Sequence, residues 1–478
     1  MKKVLIVLMM ILVGFAAHPQ EPPKALTLQE CVSIAMENNL MVKRGYYNLR
    51  GSQINLTQSK AAMLPAVNGG GSYGKNFGRA LNPVTNLFVD RNSSVIGLSG
   101  TSSVTLFNGL RIQNTIKQNT TEYDATNQDL AKAKNDVIVN VVTLYTNVVF
   151  NKELFANADF QLKSSQEQLE RIKKQVAAGS LPKANELNQE AQVATNEVSL
   201  INQENALNLS LLQLKQAMQV PGSTALDVVV PPIELEDLVL DQTPDQIFDI
   251  SLQTMPEIKS AVLRMQSAVY ALKAAKGSYY PRLSLNGSIQ TNYSNVSKLQ
   301  DISLDPVPQL TTDPIGITGS NENVYGYYFN RTVTPKDYAL NDQLRDNVFK
   351  GLGLQLSIPI FNNLQTKSNV QRAAVSKEVA SITKQETENT LRQSIETAYN
   401  DALAASKTYT ASLKQVNARE EAYRMTKQRF EIGAANYVEY RISENDMFQS
   451  KSDLARAKYN FIFRKKLLDF YQGKPIEF

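Results

Sequence analysis

The chain has 478 residues and a net charge of +5, with one cysteine, one histidine and no tryptophan. Zinc sites, disulfide frameworks and catalytic cysteine dyads need several Cys or His side chains, so this composition argues against all three. The small net charge, without a dense basic block, argues against a nucleic-acid partner. The carboxylates follow no catalytic spacing and no phosphate-binding loop occurs, so we predict neither an enzyme nor a bound cofactor or metal.

Residues 1–17 have the pattern of a signal peptide. Lys2 and Lys3 precede an apolar run at 4–15, and Ala16 and Ala17 follow it. The alternative is an uncleaved membrane helix, but the run is short for crossing a bilayer. No later segment has eighteen or more apolar residues. We therefore predict an exported protein that enters a membrane, if at all, with β-strands.

Residues 18–219 form the first of two predicted structural repeats. Thr27 and Glu30 have the spacing of a capping box, which predicts that a helix begins there. Cys31 lies on this helix and is expected to be a small buried residue. Strands are predicted at 66–78 and 95–107, a long helix at 108–178 and a return helix at 183–218. Gly179 is placed to end the long helix.

A connector with three prolines is predicted at 220–243, before the second repeat at 244–478, which itself begins with Pro244. The second repeat has strands at 282–290 and 350–360, a long helix at 361–432 and a return helix at 436–472. Gly433 corresponds to Gly179 as the residue that ends the long helix. Residues 291–348 are a long polar insertion. Its YGYYF segment at 325–329 either lines an external mouth, contacts a ligand or packs on itself.

The two repeats share one register over their long helices. Phe361 follows Phe107 by 254 residues, and Gly433 follows Gly179 by the same interval. Apolar residues recur every seven positions in each helix, as in a coiled-coil seam. In the second helix these positions are Ile395, Ala402, Tyr409, Val416, Tyr423 and Phe430. The positions 254 residues earlier are Val141, Val148, Phe155, Leu162, Leu169 and Val176. A recurrence at one interval favours a duplicated unit.

The predicted strands have one apolar face. Leu352, Leu354 and Leu356 alternate with Gly, Gln and Ser. Four strands cannot close a barrel, since the smallest membrane barrels use about eight, and open edges are not tolerated in lipid. The chain would therefore share a barrel with copies of itself, as a dimer or a trimer. The alternative is an ordinary antiparallel sheet in a soluble exported protein. The helices are rich in Gln, Asn, Ser, Lys and Glu, which suits a hollow helical barrel with a wet lumen.

Short motifs at the junctions are as informative as the order of the elements. Leu64-Pro65 and Tyr280-Pro281 precede strands, and Phe107-Asn108-Gly109 and Phe361-Asn362-Asn363 precede the long helices. Each hairpin tip combines the end of a long helix with the start of its return helix, at 171–179 with 184–191 in the first repeat and at 429–433 with 437–446 in the second. With these features the chain resembles the TolC-type outer-membrane efflux proteins over essentially its whole mature length.

The resemblance implies an α+β fold, mostly long α-helices, from a tandem-duplicated protomer. It implies a homotrimer with a 12-stranded β-barrel in outer-membrane lipid and a 12-helix α-barrel in the periplasm, where residues 220–243 join an equatorial belt. Such proteins are passive exit ducts. They dock on a periplasmic adaptor (membrane fusion) protein and an inner-membrane transporter of RND or ABC type. The resemblance does not distinguish between drugs, metal ions and proteins as the exported cargo.

The resemblance also implies a gate at the periplasmic tips. Glu439 falls at the place of the family's acidic ring, whereas Ile442 occupies a second acidic position. In the first repeat, the closing contacts correspond to Asn185, with Glu186 beside it. The simpler interpretation is that Glu439, Glu444 and Asp446 are solvated charges at a helix start. The alternative function for the whole chain is a surface-anchored coiled-coil scaffold or adhesin.

Overall fold

The computed structural model describes residues 24–81, 86–90, 92–231, 240 and 242–474. The predicted signal peptide and parts of the predicted connector, 232–239 and 241, lie outside the described residues. The chain divides into two compact units. Among the described residues, the helical unit comprises those within 24–56, 117–269 and 374–474, and the strand unit those within 57–116 and 270–373. Each unit therefore draws segments from both predicted repeats.

Nine α-helices account for most of the described chain. They are α1 (Leu28–Asn38), α2 (Leu40–Ala61), α3 (Arg111–Ala177), α4 (Lys183–Ala217), α5 (Pro244–Thr254), α6 (Pro256–Lys276), α7 (Leu340–Asp346), α8 (Gln365–Glu431) and α9 (Tyr437–Tyr471). The two long helices, α3 and α8, have 67 residues each, and their return helices, α4 and α9, have 35 each. The duplication seen in the sequence is therefore reproduced in helix lengths.

The seven-residue positions form the core of the helical unit. All twelve seven-residue positions of the two long helices are buried or half-buried, and Val141, Val148, Ile395 and Ala402 are fully buried. The return helix α9 also buries apolar residues seven positions apart, with Phe461 and Leu468 at 0% and 3% exposure. Removal of this apolar area from water is what holds the helices together, because their polar surfaces contribute little to packing.

The helix starts are also duplicated. At α1, the Thr27 side chain accepts from the Glu30 amide and the Glu30 carboxylate accepts from the Thr27 amide. Thr243 and Gln246 repeat this reciprocal capping at α5. The sequence prediction named only the first capping box. Cys31 lies on α1 and is buried in the core with 0% exposure, as expected.

The strand unit is built on one four-stranded antiparallel sheet. Its strands are β2 (Ala66–Asn76), β5 (Ser93–Phe107), β7 (Arg282–Ser294) and β14 (Phe349–Ser357), in the order β14-β7-β5-β2. Two shorter segments, β3 (Arg79–Leu81) and β4 (Phe88–Asp90), pair within the β2–β5 connection. The parallel pair β1 (Lys24–Leu26) and β6 (Leu226–Val228) belongs to the helical unit. Both β2 and β14 are edge strands of the sheet.

The register separates the sheet into two chemically different faces. Leu354 lies opposite Leu285, which lies opposite Val104, and such rows carry the apolar side chains. Leu352, Leu354 and Leu356 are 81%, 66% and 60% exposed in the single chain. The intervening rows pair Ser, Thr, Asn, Gln and Gly. Ser103 donates to Asn286 at 2.7 Å, and the Asn286 amide donates to Gln355 at 3.3 Å.

The polar insertion forms a long β-hairpin. Its strands are β8 (Lys298–Leu304), β9 (Gln309–Leu310), β10 (Gly316–Ile317), β11 (Asn323–Val324), β12 (Tyr327–Tyr328) and β13 (Arg331–Asp337). They pair as β8–β13, β9–β12 and β10–β11, which is the nesting of a single hairpin. We call residues 298–337 the arm.

Helix α7 returns the chain from the arm to the sheet. The Gln343 side chain, 1% exposed, accepts from the Ser294 amide and donates to the Ser294 carbonyl. The Gln343 amide group therefore substitutes for a neighbouring strand at the end of β7, where β14 provides no partner.

Several predicted boundaries are wrong by a few residues. The strand predicted at 282–290 continues to Ser294, where Gln343 satisfies its backbone. The strand predicted at 350–360 begins at Phe349 and ends at Ser357, before Pro359, which has no N–H to donate. The strand predicted at 66–78 ends at Asn76, and Gly78 has a positive φ of 102°.

The long helices begin later than predicted, at Arg111 and Gln365. In each repeat two successive residues with positive φ intervene, Gly109 and Leu110 (67° and 62°) and Asn363 and Leu364 (54° and 61°). This pair turns the chain from strand to helix and cannot itself be helical. The preceding Asn108 and Asn362 side chains each accept from a first-turn amide at 3.4 Å.

Candidate functional site

The two hairpin turns that carry the predicted gate share one backbone conformation. Gly179 and Gly433 have φ values of +73° and +78°. The amides of Ser180 and Ala434 donate to the carbonyls of Gln175 and Arg429 at 2.9 and 2.7 Å. This six-to-one bond, together with the glycine bond three residues back, is the Schellman motif. The structure thus places both predicted reversal glycines at the turns.

Glu439 lies in the first turn of α9, held by residues of its own hairpin. Asn436 caps α9 by accepting from the Glu439 amide at 2.8 Å, and the Asn436 amide donates to the Glu439 carboxylate at 2.8 Å. The Arg429 guanidinium stands 3.8 Å from the same carboxylate. The Glu439 side chain remains 50% exposed. It therefore presents a negative charge that Arg429 partly offsets.

Asn185 and Glu186 differ in their surroundings although they are adjacent. Glu186 is 9% exposed and its carboxylate pairs with Lys183 at 2.6 Å. Asn185 lines a groove of about 600 Å³ between the two hairpin tips, to which Arg171, Phe430 and Tyr437 also contribute. The structure thus brings Asn185 together with residues of the second tip, including Gly433.

A hydrogen-bonded chain connects the two hairpins just behind the groove. The Tyr437 hydroxyl donates to the Gln189 side chain at 2.5 Å, and the Gln189 amide donates to the Ser165 carbonyl at 2.8 Å. Gln189 is fully buried. A buried amide with both ends satisfied fixes the relative position of the groups that it joins. Sequence reasoning missed this contact.

A second buried network lies one turn further along α9. Glu444 is 2% exposed; it accepts from the Tyr440 hydroxyl at 3.0 Å and pairs with Arg441. Arg441 also donates to Asn445 at 3.1 Å. The interpretation of Glu444 as a solvated charge is therefore wrong. Asp446 is partly exposed and pairs with Arg419 at 2.7 Å. The signal available in the sequence was the i, i+4 spacing of Tyr440 and Glu444.

Aromatic rings fill the space between α8 and α9 beside this network. Phe430 stacks on Tyr440 with ring centroids 4.9 Å apart, and Tyr423 lies 6.0 Å from Tyr440. Burial, together with the Glu444 charge, raises the pKa of the Tyr440 hydroxyl well above its ordinary value. Tyr440 is therefore a hydrogen-bond donor at any physiological pH.

No helix in the described part of the chain combines the length and the apolar character needed to cross a bilayer. Within the same residues, no three His, Cys, Asp or Glu side chains cluster in a way that would hold a metal ion.

Comparison with known proteins decides the family. The model of the family described as "Outer membrane efflux protein" matches residues 31–219 and 248–464. The chain belongs to this family. The two matched segments follow the two predicted repeats, and the gap between them contains the predicted connector.

Individual relatives are distant but cover nearly the whole chain. The outer membrane efflux protein BepC of Brucella suis is 21% identical over 440 residues, which is 91% of this chain and 83% of BepC. The proteases secretion protein PrtF of Dickeya chrysanthemi is 21% identical over 487 residues, 96% of this chain and 90% of PrtF. The structure of the outer membrane protein VceC of Vibrio cholerae superposes with a TM-score of 0.73 at 14% identity, over 94% of this chain and 97% of VceC.

These findings confirm the predicted TolC-type family, the mostly helical channel fold and the outer-membrane localisation. The matching family and BepC are described as outer membrane efflux proteins and PrtF as a secretion protein, which favours a non-enzymatic role for this chain.

Proposed function

We propose that the protein is a passive duct through which an inner-membrane transporter and a periplasmic adaptor release cargo across the outer membrane. The observation that carries the proposal is the four-stranded sheet with one exposed apolar face, two open edges and a polar face on which Arg282, at the start of β7, donates to Thr105. In lipid, such a sheet must be completed by other copies. Three copies supply twelve strands and twelve long or return helices.

In the assembled barrel the apolar rows face lipid and the Ser, Thr, Asn and Gln rows face the lumen. The central lumen rows, from Ser284 to Gln290 on β7 and from Ser99 to Thr105 on β5, carry no charge. A wall of hydroxyls and amides offers hydrogen bonds to any polar solute without selecting one sign of charge. We therefore place charge selectivity at the periplasmic tips.

At the tips, three Glu439 carboxylates would form an acidic ring as the helices converge. Each carboxylate stands beside an Arg429 guanidinium, so the ring attracts cations less strongly than three bare carboxylates. Asn185 and the Tyr437–Gln189 contact hold the neighbouring hairpin against the ring. Opening the duct requires the hairpins to separate at these contacts. Docking of an adaptor on the grooves near the tips would supply the energy.

The test is ion conductance of the purified protein in a planar bilayer. Wild type should give discrete, cation-selective steps. Glu439→Ala should lower cation selectivity, and Arg429→Gln should raise it, because the two residues act with opposite sign on the same ring. Asp159→Asn is the matched control: it removes a carboxylate that pairs with Lys163 on α3, away from the tips.

The outcomes separate the parts of the proposal. Steps that neither tip substitution changes would retain the duct and remove the acidic ring. A folded preparation that stays silent, even when Tyr437→Phe weakens the contact between the hairpins, would favour the scaffold or adhesin. Extraction as a detergent-soluble trimer is expected for the duct, whereas a scaffold without a shared barrel has no need of detergent.

A further inference from the structure

The arm is an amphipathic β-hairpin whose apolar face is uncovered in the single chain. On β8 and β13, Ile302 lies opposite Val333, and Leu304 lies two residues along on the same face. The opposite face pairs Asp301 with Thr334 and Ser303 with Thr332. Further out, Leu310 lies opposite Tyr327. The apolar side chains Ile302, Leu304 and Val333 form a patch on this face, bounded by Arg331 opposite Leu304 and by the Lys298–Asp337 ion pair. The other face is mainly polar, with Leu299 opposite Lys336 as its apolar exception.

Exposure of the apolar side chains is general along the arm. Every Leu, Ile, Val, Phe and Tyr between Lys298 and Asp337 is exposed, from 39% at Val324 to 72% at Tyr327. The backbone is paired only within the hairpin: the Asp305 amide, for example, donates to Asn330 and the Thr311 amide donates to Gly326. An isolated two-stranded hairpin is marginally stable in water. A cover for its apolar face is therefore required.

We infer that the cover is the arm of a neighbouring copy of this chain, so that three arms pack their Ile302–Val333 faces together in a collar above the barrel. This inference rests on the proposed trimer. The arm adjoins the edge at which copies would meet in that trimer, because β13 leads through α7 into the edge strand β14.

Two further features favour a second copy over an unrelated protein. Three arms tethered to one barrel are held at a high effective concentration toward one another, which a free partner does not share. A contact among three arms around one symmetry axis is also closed, so it joins three copies and does not extend into fibres.

The collar narrows the external mouth of the duct. It places the Asp301–Thr334 and Ser303–Thr332 rows toward solvent, while the apolar rows meet at the centre. The arm is therefore a contact between copies that lies outside the predicted periplasmic gate and is independent of Glu439.

Single-cysteine labelling tests the collar. Cys31 is the only cysteine, and Cys31→Ala gives a background without thiols. Ile302→Cys and Asp301→Cys are then introduced separately, since they are adjacent on β8 and face opposite sides. The purified detergent-soluble protein is treated with a hydrophilic maleimide, and its stoichiometry is measured by native mass spectrometry. The collar predicts that position 302 reacts at least about tenfold more slowly than position 301.

Equal labelling rates at positions 301 and 302 in a confirmed trimer would overturn the collar and leave the duct intact. Protection of position 302 on whole cells but not in the purified trimer would also overturn it, because another molecule would then be the cover. A preparation that is not trimeric would overturn the proposed duct itself.

A second pair of variants tests the collar without cysteines, in case the cysteine variants misfold. Ile302→Asn with Val333→Asn should increase amide exchange throughout residues 298–337. Asp301→Asn with Thr334→Asn, on the solvent face, should leave it unchanged. If both doubles behave alike, the apolar face has no cover and the inference fails.

Discussion

The buried ion pair on α9 supports the sharpest prediction about the tips. Glu444 and Glu439 lie on the same helix, five residues apart, and their side chains are 2% and 50% exposed. Removing one partner of a buried ion pair typically costs about 3–5 kcal/mol, because the other charge stays buried and unpaired. Removing an exposed carboxylate that pairs with a single arginine costs about 0–1 kcal/mol. Glu444→Ala should therefore destabilise the tip much more than Glu439→Ala.

Local amide exchange is the appropriate assay, because a protein with two compact units need not unfold in a single step. We expect exchange within residues 437–450 to become roughly 150 to 5,000 times faster in Glu444→Ala, since about 1.4 kcal/mol corresponds to a factor of ten. In Glu439→Ala the increase should stay below about tenfold in the same segment. Exchange in the strand unit serves as the internal reference.

A double substitution distinguishes loss of the pair from loss of packing. Arg441→Met combined with Glu444→Leu removes both charges and keeps the volume filled, so most of the protection should return. Matching exchange profiles for Glu444→Ala and Glu439→Ala would refute the assignment of a buried ion pair. Failure of the double substitution to restore protection would instead show that Tyr440 and its ring contacts depend on the Glu444 carboxylate.

Three further predictions concern the rest of the molecule. Phe461→Ala removes a fully buried ring from the seam and should cost about 3–5 kcal/mol, measured by amide exchange within α9, whereas Val438→Ala at an exposed position should cost less than about 0.5 kcal/mol in the same assay. Gly109→Ala should prevent assembly of folded protein in the membrane, because the new Cβ would lie 2.3 Å from the Gly277 carbonyl oxygen. Gly433→Ala, also at positive φ but with open space around it, should cost only about 1 kcal/mol of stability. Equal yields of folded membrane protein from the two variants would contradict this reasoning. Burial raises the pKa of the Cys31 thiol from its ordinary value of 9.0 to about 12, so native protein should resist maleimide at pH 9 while denatured protein reacts. Because the unfolded thiol ionises first, stability from this group is present below pH 9 and declines as pH rises toward 12, and a Cys31→Ala variant should show a flatter profile.

The sequence was most informative where a periodic pattern recurs over a long distance. All twelve seven-residue positions of α3 and α8 are buried or half-buried, because a 67-residue helix has few other ways to shield an apolar stripe. Reversal glycines were equally clear, since Gly179 and Gly433 adopt a backbone conformation that other residues avoid. The long helices were predicted to begin three and four residues early, because paired positive φ angles leave no periodic signature.

The gate region was only partly predictable. Glu439, Asn185 and Glu186 were named from the resemblance, and the structure gives each a different environment: Glu439 beside Arg429, Asn185 in the groove, and Glu186 buried against Lys183. Contacts between hairpins, such as Tyr437 with Gln189, join residues that lie 248 positions apart. A single sequence carries no signal for such a pair.

The sequence by itself determined the duplicated order of elements, the helix lengths and the apolar seam, because these follow from local periodicity and from the special backbone of glycine. Only the tertiary structure decided that Glu444 is buried with Arg441, that Gln343 caps the end of β7, and that the polar insertion is an amphipathic arm. Burial and hydrogen bonding depend on which distant segments meet, and the same carboxylate or amide is compatible with a solvated surface until a neighbouring element covers it.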